Sequence, residues 1–352
     1  MMNIQQFGTC NSKVCKLYTI KNKNGNSITL TDYGAAVVSI FIKDRKGNKV
    51  DVILGYDDLS SYEKSSANFG GTIGRVANRI KGGSFLLSNK IYKLTVNDEG
   101  KNTLHSGSDF YNKRVWKVTN VSPSSITFYL RSRDMDQGFP GNLDIYVTYD
   151  FNDNDELSIS YKYKAEDDTI VNLCNHTYFN LSGQGKDDVL NQKVYLNCDY
   201  VTDINEDLIP TGEFFNVDDT PFDFRNEKAI GQDINSNYRC LNYAGGYDHN
   251  FVINPNEKEK VMGKLLNKVG YMKSDDTGIK MEIFTSLPGV QFYTSNSMKD
   301  EKGKNGNIYN EYSGACFETQ YFPDAVHHDN FPSTLVKKGE EKEEFTVYRF
   351  LV

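Results

Sequence analysis

The stretch LDIYVTYDFNDNDELSISYKYK, residues 143–164, decides the fold class of this chain. Every second residue from 143 to 151 is apolar or aromatic, and residues 157–164 repeat that period. A period of two is typical of a half-buried β-strand, and the polar run 152–155 between the two segments is a turn signal. The stretch therefore predicts a long antiparallel hairpin, with Leu143 and Leu157 on its inner face.

The same alternation recurs along most of the chain on either side of this hairpin. It predicts further strands at 36–42, 84–88, 91–96, 125–131, 279–285 and 345–351. Helical signals are few: Asp58 can cap a short helix over 59–63, and residues 226–233 form a second candidate. There is no βαβ rhythm, G-x-G-x-x-G or Walker motif, which disfavours nucleotide-binding folds. We predict an all-β fold, a large antiparallel β-sandwich in one domain over residues 1–352.

Composition limits the class of function. The chain has 352 residues, of which 38% are hydrophobic and 25% charged, as in globular proteins, and its net charge of -7 argues against a nucleic-acid surface. Neither an apolar leader segment nor a membrane-spanning apolar run is visible. Six widely spread cysteines are too few for a disulfide scaffold. We expect a soluble protein of the reducing cytoplasm that binds neither nucleic acid nor membrane.

Five histidines are the first candidates for acid–base chemistry, because imidazole exchanges its proton near neutral pH. They are His105, His176, His249, His327 and His328. Any single one is more often structural than catalytic, and we expect the adjacent pair 327–328 to be exposed. No H-x-x-x-H or H-E-x-x-H spacing occurs, so no metal site is predicted.

Glu318 stands out among the carboxylates because the surrounding run, Ala315–Phe322, is mostly apolar and aromatic. A carboxylate that is desolvated there would have a raised pKa and would be a stronger base once ionised. The alternation equally allows Glu318 to face solvent. Asp248, in a Gly-Tyr loop, and Arg79, between turn-forming glycines, are further polar positions. Such polar islands on a β-frame suit a sugar site, but they do not identify a reaction.

Several motifs occur in a characteristic joint order. They are Leu30–Ala35, Asp51–Tyr56, Gly74–Ile80, Leu104–His105, Gly138–Leu143, Asn175–Leu181, Tyr247–His249, Pro288–Tyr293 and Phe317–Gln320. In their order and spacing, from about residue 20 to the end, the chain resembles the aldose 1-epimerase family, also called the galactose mutarotase family.

The resemblance implies a β-sandwich with a concave sugar cleft and an isomerase that interconverts the α and β anomers of free hexoses such as galactose and glucose. Glu318 would be the general base and His176 the general acid, which together open and reclose the ring without metal or cofactor. The substrate-binding residues implied by the same motifs are Asn78, Arg79, His105, Tyr178, Asp248 and Gln291. His105 would lie beside the ring oxygen, and the protein would act as a monomer or homodimer.

Three other functions stay open from the sequence. A non-catalytic sugar-binding module would not need Glu318, His105 and His176 together. A glycoside hydrolase would need two carboxylates flanking the scissile bond. A hexose-6-phosphate 1-epimerase would need a cationic pocket, for which the matched positions offer chiefly Arg79.

Overall fold

Strands dominate the computed structural model, which describes residues 2–186 and 188–352. In chain order the strands are β1 (Asn3–Cys10), β2 (Lys13–Lys21), β3 (Ser27–Thr31), β4 (Ala36–Lys43), β5 (Lys49–Asp51), β6 (Thr72–Ile73), β7 (Arg79–Ile80), β8 (Ser84–Leu87), β9 (Lys90–Lys93), β10 (Thr103–Leu104), β11 (Lys117–Val121), β12 (Ser125–Ser132), β13 (Leu143–Phe151), β14 (Glu156–Ala165), β15 (Thr169–Ile170), β16 (Cys174–Asn175), β17 (Tyr178–Phe179), β18 (Lys193–Leu196), β19 (Tyr200–Ile204), β20 (Pro210–Asn216), β21 (Lys228–Ala229), β22 (Asp248–Val252), β23 (Lys258–Val261), β24 (Lys264–Lys273), β25 (Lys280–Thr285), β26 (Gly289–Tyr293), β27 (Glu301–Lys302), β28 (Ile308–Tyr309), β29 (Ala315–Gln320), β30 (Leu335–Val336) and β31 (Glu341–Leu351).

Helices are short. Among the described residues, the two α-helices are α1 (Leu59–Lys64) and α2 (Arg239–Ala244), and five 3₁₀ turns lie at Lys81–Gly83, Tyr111–Lys113, Ile230–Gln232, Lys304–Gly306 and Ala325–His327. The predicted cap of α1 is confirmed, because the Asp58 carboxylate accepts a hydrogen bond from the backbone N–H of Ser61. None of the helices in the described ranges is long and apolar enough to cross a membrane.

The predicted hairpin is confirmed as β13 and β14, which pair antiparallel from Leu143 opposite Ala165 to Phe151 opposite Leu157. It belongs to a ten-stranded sheet ordered β11-β12-β13-β14-β31-β25-β24-β18-β21, with β23 added beside β24. All inward positions of the hairpin are buried, whereas Lys162 and Lys164 are exposed. The period-two pattern therefore assigned each side chain to the correct face.

The ten-stranded sheet packs against two others. One has six strands, ordered β17-β29-β26-β22-β19-β20, and the other has five, ordered β1-β2-β3-β4-β5. Contact with the six-stranded sheet is direct, since the Tyr348 hydroxyl on β31 donates to the carbonyl of Phe317 on β29. Tyr18 on β2 packs edge-on against Phe128 on β12. The antiparallel β-sandwich is thus confirmed.

Two local predictions were wrong, one in the end of a strand and one in the type of element. Strand β9 ends at Lys93 rather than at 96, because the chain turns there and Leu94 donates its N–H to the carbonyl of Gly83. Residues 226–233 form strand β21 and a 3₁₀ turn rather than an α-helix. Pairing of β21 with β18 offers that backbone a better set of partners than an isolated short helix would.

Candidate active site

Four strands of the six-stranded sheet place one row of side chains across its outer face. Tyr178 on β17 lies opposite Cys316 on β29, Cys316 lies opposite Tyr293 on β26, and Tyr293 lies opposite Asp248 on β22. Two residues along, Glu318 lies opposite Gln291. Residues two apart on a strand share a face, so both rows point away from the core.

Glu318 lies at the floor of the cleft and is only 3% exposed. Its neighbours Phe317 and Thr319 point to the opposite side of β29, into the core. The sequence left open whether the Glu318 side chain faces solvent. In the structure it faces the cleft and not bulk solvent. Burial raises the pKa of the Glu318 carboxyl to about 8, with Asp248 adding to the rise and Cys174 and Arg79 opposing it.

His176 faces Glu318 from the turn between β16 and β17. Its Nε2 lies 3.7 Å from Oε1 of Glu318. Both backbone polar groups of His176 are hydrogen-bonded. Its N–H donates to the carbonyl of Gly71, and its carbonyl accepts from the N–H of Gly70. The ring stacks on Tyr178 with centroids 5.0 Å apart. Burial lowers the pKa of His176 to about 4.

Cys316 contacts the other nitrogen of the His176 ring. Its Sγ lies 3.6 Å from Nδ1 of His176. Burial, together with the charges of Glu318 and Asp248, holds the pKa of the Cys316 thiol well above 9, so the thiol stays neutral beside the ring. Nε2 is the ring nitrogen that faces Glu318.

His105 and Asn78 hold each other through the backbone. The N–H of His105 donates to the carbonyl of Asn78, while the N–H of Asn78 donates to Nδ1 of His105. Both residues adopt positive φ angles, 52° and 62°, a conformation that needs such support in residues other than glycine. Burial, then His176 and Arg79, lower the pKa of His105 well below 6.5. The neutral ring thus presents its Nε2–H as a donor, with centroids 5.5 Å from His176.

Arg79 and Asp248 form the charged wall of the site. Nε of Arg79 lies 3.2 Å from Asp98, and its Nη1 lies 3.9 Å from Asp248. Gln291 donates its amide to the other oxygen of Asp248 at 2.7 Å. Gln291 does not itself line the cleft in the described part of the chain. Its place is behind Asp248, where it orients a carboxylate that remains partly open to the cleft.

The cleft has a volume of about 470 Å³ and brings together seven of the eight residues predicted for the site, all except Gln291. The sequence reasoning missed Tyr293, Asn296, Met298, Lys299 and Glu301, which also line it. Tyr293 is the most informative of these, since its ring meets both His176 and Tyr178 edge-on. The sequence spacing could have predicted this residue, because Tyr293 lies two residues after Gln291 on one strand and so shares its face.

The other histidines lie outside this cleft. His249 points from β22 into the core, where it packs edge-on against Phe222, and burial lowers its pKa to about 3. His327 is exposed as expected, but His328 is partly buried. Both of these rings face the buried carboxylate of Asp324, at 2.6 Å and 3.5 Å. In the ranges that the structure describes, no group of three or more His, Cys, Asp or Glu residues is arranged to hold a metal ion.

Comparison with known proteins identifies the family of this chain. The aldose 1-epimerase family profile matches residues 16–349. Galactose mutarotase of Bos taurus is 38% identical over 326 residues, covering 92% of this chain and 91% of the bovine protein. Aldose 1-epimerase of Escherichia coli (strain K12) is 32% identical over 340 residues, covering 96% and 95%. The crystal structure of an aldose epimerase homologue from C. elegans superimposes with a TM-score of 0.83 at 30% identity, covering 95% and 98%.

The family match extends over most of the sandwich and over every strand that contributes to the cleft. The resemblance noted from the motifs is thereby confirmed across nearly the whole sequence. The chain belongs to the aldose 1-epimerase family of carbohydrate isomerases.

Proposed function

We propose that this protein interconverts the α and β anomers of a free hexose, with Glu318 as general base and His176 as general acid. The observation that carries the proposal is the buried pair itself. Nε2 of His176 and Oε1 of Glu318 face each other across 3.7 Å at the cleft floor. That gap exceeds a hydrogen bond, so each group is free to contact the substrate.

In the proposed reaction, the Glu318 carboxylate takes the proton of the C1 hydroxyl, and the freed electron pair forms the C1 carbonyl. The bond from C1 to the ring oxygen breaks, and the ring oxygen takes the proton of the His176 imidazolium. Rotation about C1–C2 presents the other carbonyl face. Reclosure returns both protons, so no atom or electron is gained or lost. Each positioned acid or base contributes about 10²- to 10⁴-fold.

The proton affinities of the pair support this scheme. Glu318, with its pKa raised to about 8, and His176, with its pKa lowered to about 4, share a single proton at neutral pH. In the free site burial places that proton on Glu318, which is the state needed to close an open-chain sugar. Its transfer to His176 gives the state needed to open a ring. The two states hold the same number of protons, so one site serves both directions.

The remaining polar groups suit sugar hydroxyls. We propose that His105 donates beside the ring oxygen and that Asn78, Arg79 and Asp248 hold hydroxyls, with Gln291 acting through Asp248. The rings of Tyr178 and Tyr293 supply an aromatic wall. Because the named relatives include galactose mutarotases, we propose D-galactose as a substrate, with D-glucose as a second.

The alternatives are less well supported by the cleft. A phosphorylated sugar would need surplus positive charge, but the described lining sets two cations, Arg79 and Lys299, against the acidic residues Asp248 and Glu301, even with Glu318 protonated. Arg79 is also engaged by Asp98 and Asp248. A glycoside hydrolase would pair two carboxylates, whereas Glu318 faces a histidine.

Substitution of Glu318 by Gln tests the proposal. The amide keeps the size and an accepting oxygen but cannot take the C1 proton, so it should abolish the acceleration of mutarotation while most of the galactose affinity is kept. Polarimetry on fresh α-galactose, measured against the uncatalysed drift in the same buffer, reports the rate. A variant that keeps more than about a tenth of the wild-type rate would refute Glu318 as the base, because general-base contributions exceed that margin.

The same experiment separates the other classes of function. A sugar-binding module would show affinity without mutarotation in the wild type. A glycoside hydrolase would cleave an aryl galactoside, and a hexose-6-phosphate 1-epimerase would prefer galactose 6-phosphate to galactose.

We further infer a single-domain protein over residues 1–352 that works in the reducing cytoplasm as a monomer or homodimer, without a nucleic-acid partner. One hydrophobic cluster that reaches from Tyr18 to Phe350 supports the single domain. All six cysteines are buried free thiols, which supports the reducing compartment. Gel filtration with light scattering tests the oligomeric state.

A further inference from the structure

The carboxyl group of Glu318 has a second neighbour whose role the reaction scheme does not include. The Sγ of Cys174, on β16, lies 3.2 Å from Oε2 of Glu318, on β29. Within the described residues this is the side-chain hydrogen bond that the carboxyl group receives. The other oxygen, Oε1, is the one that faces His176. The two oxygens of the base are therefore in different environments.

Cys174 is well suited to hold this oxygen. The residue is fully buried, and burial together with the charge of Glu318 holds the pKa of its thiol well above 9. The group thus stays an S–H donor while Glu318 titrates. A thiol is a weak donor, so it orients Oε2 without the strong stabilisation of the carboxylate that a charged donor would give.

We propose that Cys174 is a positioning residue for the reaction: its thiol holds Oε2 of Glu318 so that Oε1 faces His176 and the sugar. The inference rests on the proposed role of Glu318 as the base. Without the thiol, the flexible side chain of Glu318 could rotate about its terminal bonds and exchange its two oxygens. Misplacement of a reacting group by about 1 Å can cost about 10²-fold in rate.

The hydrogen bond should also leave a signature in the pH profile, because a donor to the charged form of a carboxyl group lowers its pKa. The other titratable groups facing Glu318 come from six strands and from the turn between β16 and β17, and they remain in place when residue 174 is changed. They are Arg79, Tyr161, His176, Tyr178, Asp248, Cys316 and Tyr348. A shift of the alkaline limb on changing residue 174 therefore reports the lost thiol contact.

Three variants test the inference: Cys174→Ala, Cys174→Ser and, as a matched control, Cys198→Ala. Cys198 is an equally buried thiol outside the cleft lining. We expect Cys174→Ala to lower kcat about 10- to 100-fold with KM little changed, and to move the alkaline limb of kcat to higher pH. Cys174→Ser restores a donor and should recover most of kcat, with its alkaline limb below that of the Ala variant. Cys198→Ala should change neither quantity.

Melting temperatures show whether each variant is folded. Should Cys174→Ala fail to fold, Cys174→Val fills the space without a donor and takes its place in the comparison with Cys174→Ser. Equal kcat and equal alkaline limbs for the apolar variant and Cys198→Ala would overturn the inference. Glu318→Gln keeps the two claims apart: if it is inactive while Cys174→Ala behaves as wild type, only the role of Cys174 fails, and if it is active, the base itself is misassigned.

Discussion

At the scale of single residues, burial acts in opposite directions on the two members of the proposed catalytic pair. It raises the pKa of the Glu318 carboxyl to about 8 and lowers that of the His176 imidazole to about 4, because both groups are disfavoured in their charged forms. In water, a glutamate with a pKa near 4.3 and a histidine with a pKa near 6.5 would both be mostly deprotonated at neutral pH. The buried site retains one proton.

We therefore expect activity to follow a bell-shaped pH curve. Below about pH 4 both groups are protonated and the base is lost, whereas above about pH 8 both are deprotonated and the acid is lost. The rate should be highest between these limits. Initial rates of galactose mutarotation across pH, corrected for the uncatalysed reaction at each pH, give the two limbs, which belong to the pair rather than to either residue.

His176→Asn supplies the control for this profile. It removes one titrating member, so the bell should lose its acid limb, and kcat should fall far more than the affinity for galactose. A variant in which kcat stays and only KM rises would assign His176 to binding instead.

Residue chemistry could be predicted from the sequence only in part. The apolar run around Glu318 correctly indicated desolvation, but alternation could not say which way the side chain points, because both faces of β29 are covered. The position of Gln291 behind Asp248 was not visible either. It depends on the register of β26 against β22, which joins residues 43 positions apart.

At the scale of elements, a buried arginine connects the segment that bears Asn78 and Arg79 to the ten-stranded sheet. The Arg75 guanidinium is 1% exposed. It donates to the carbonyls of Pro140 and Gly141, at 2.6 Å and 3.0 Å, and to the hydroxyl of Ser132, at 2.6 Å. These contacts lie at the end of β12 and in the segment just before β13, so the sheet positions a wall of the cleft.

We expect Arg75→Met to lower the free energy of unfolding by about 3 kcal/mol or more, because it leaves several buried acceptors without a donor. It should also raise KM for galactose, since Asn78 and Arg79 lose their support. Urea unfolding and polarimetry measure the two effects. Arg131→Met is the comparison: Arg131 is 38% exposed and paired with Asp144 and Glu166. Because solvent screens an exposed ion pair, its loss should cost far less than the loss of Arg75. Equal losses for the two variants would show that Arg75 is not a structural connection.

Strand positions were predicted better than strand partners. The period-two pattern located β4, β12, β13, β14 and β31 within a few residues, because each buries one face. It could not reveal that β29 pairs with β26 and β17, since those neighbours are joined by long, irregular connections. The active site lies at these long-range pairings, and so the family resemblance, not the alternation, first brought its residues together.

At the scale of the whole molecule, the sandwich supplies all the groups that the proposed reaction uses. No cluster of three or more potential metal ligands occurs in residues 2–186 and 188–352, and the scheme includes no redox step. We expect dialysis against a strong chelator to leave the mutarotation rate unchanged. The assay is polarimetry before and after dialysis, with each divalent ion then added back singly. A large loss that one ion restores would contradict this prediction.

The row of side chains across the six-stranded sheet has a consequence for how specificity can diversify. Tyr178, Cys316, Tyr293 and Asp248 occupy neighbouring strands, one residue each, at the inter-strand spacing of about 4.8 Å. A pyranose ring is of similar width, so side chains on adjacent strands can contact adjacent parts of it, whereas the buried Cys316 contacts His176. The strands are held by backbone pairing that does not depend on these side chains. Single substitutions can therefore change one sugar contact at a time during evolution, while the sheet that carries these side chains stays intact.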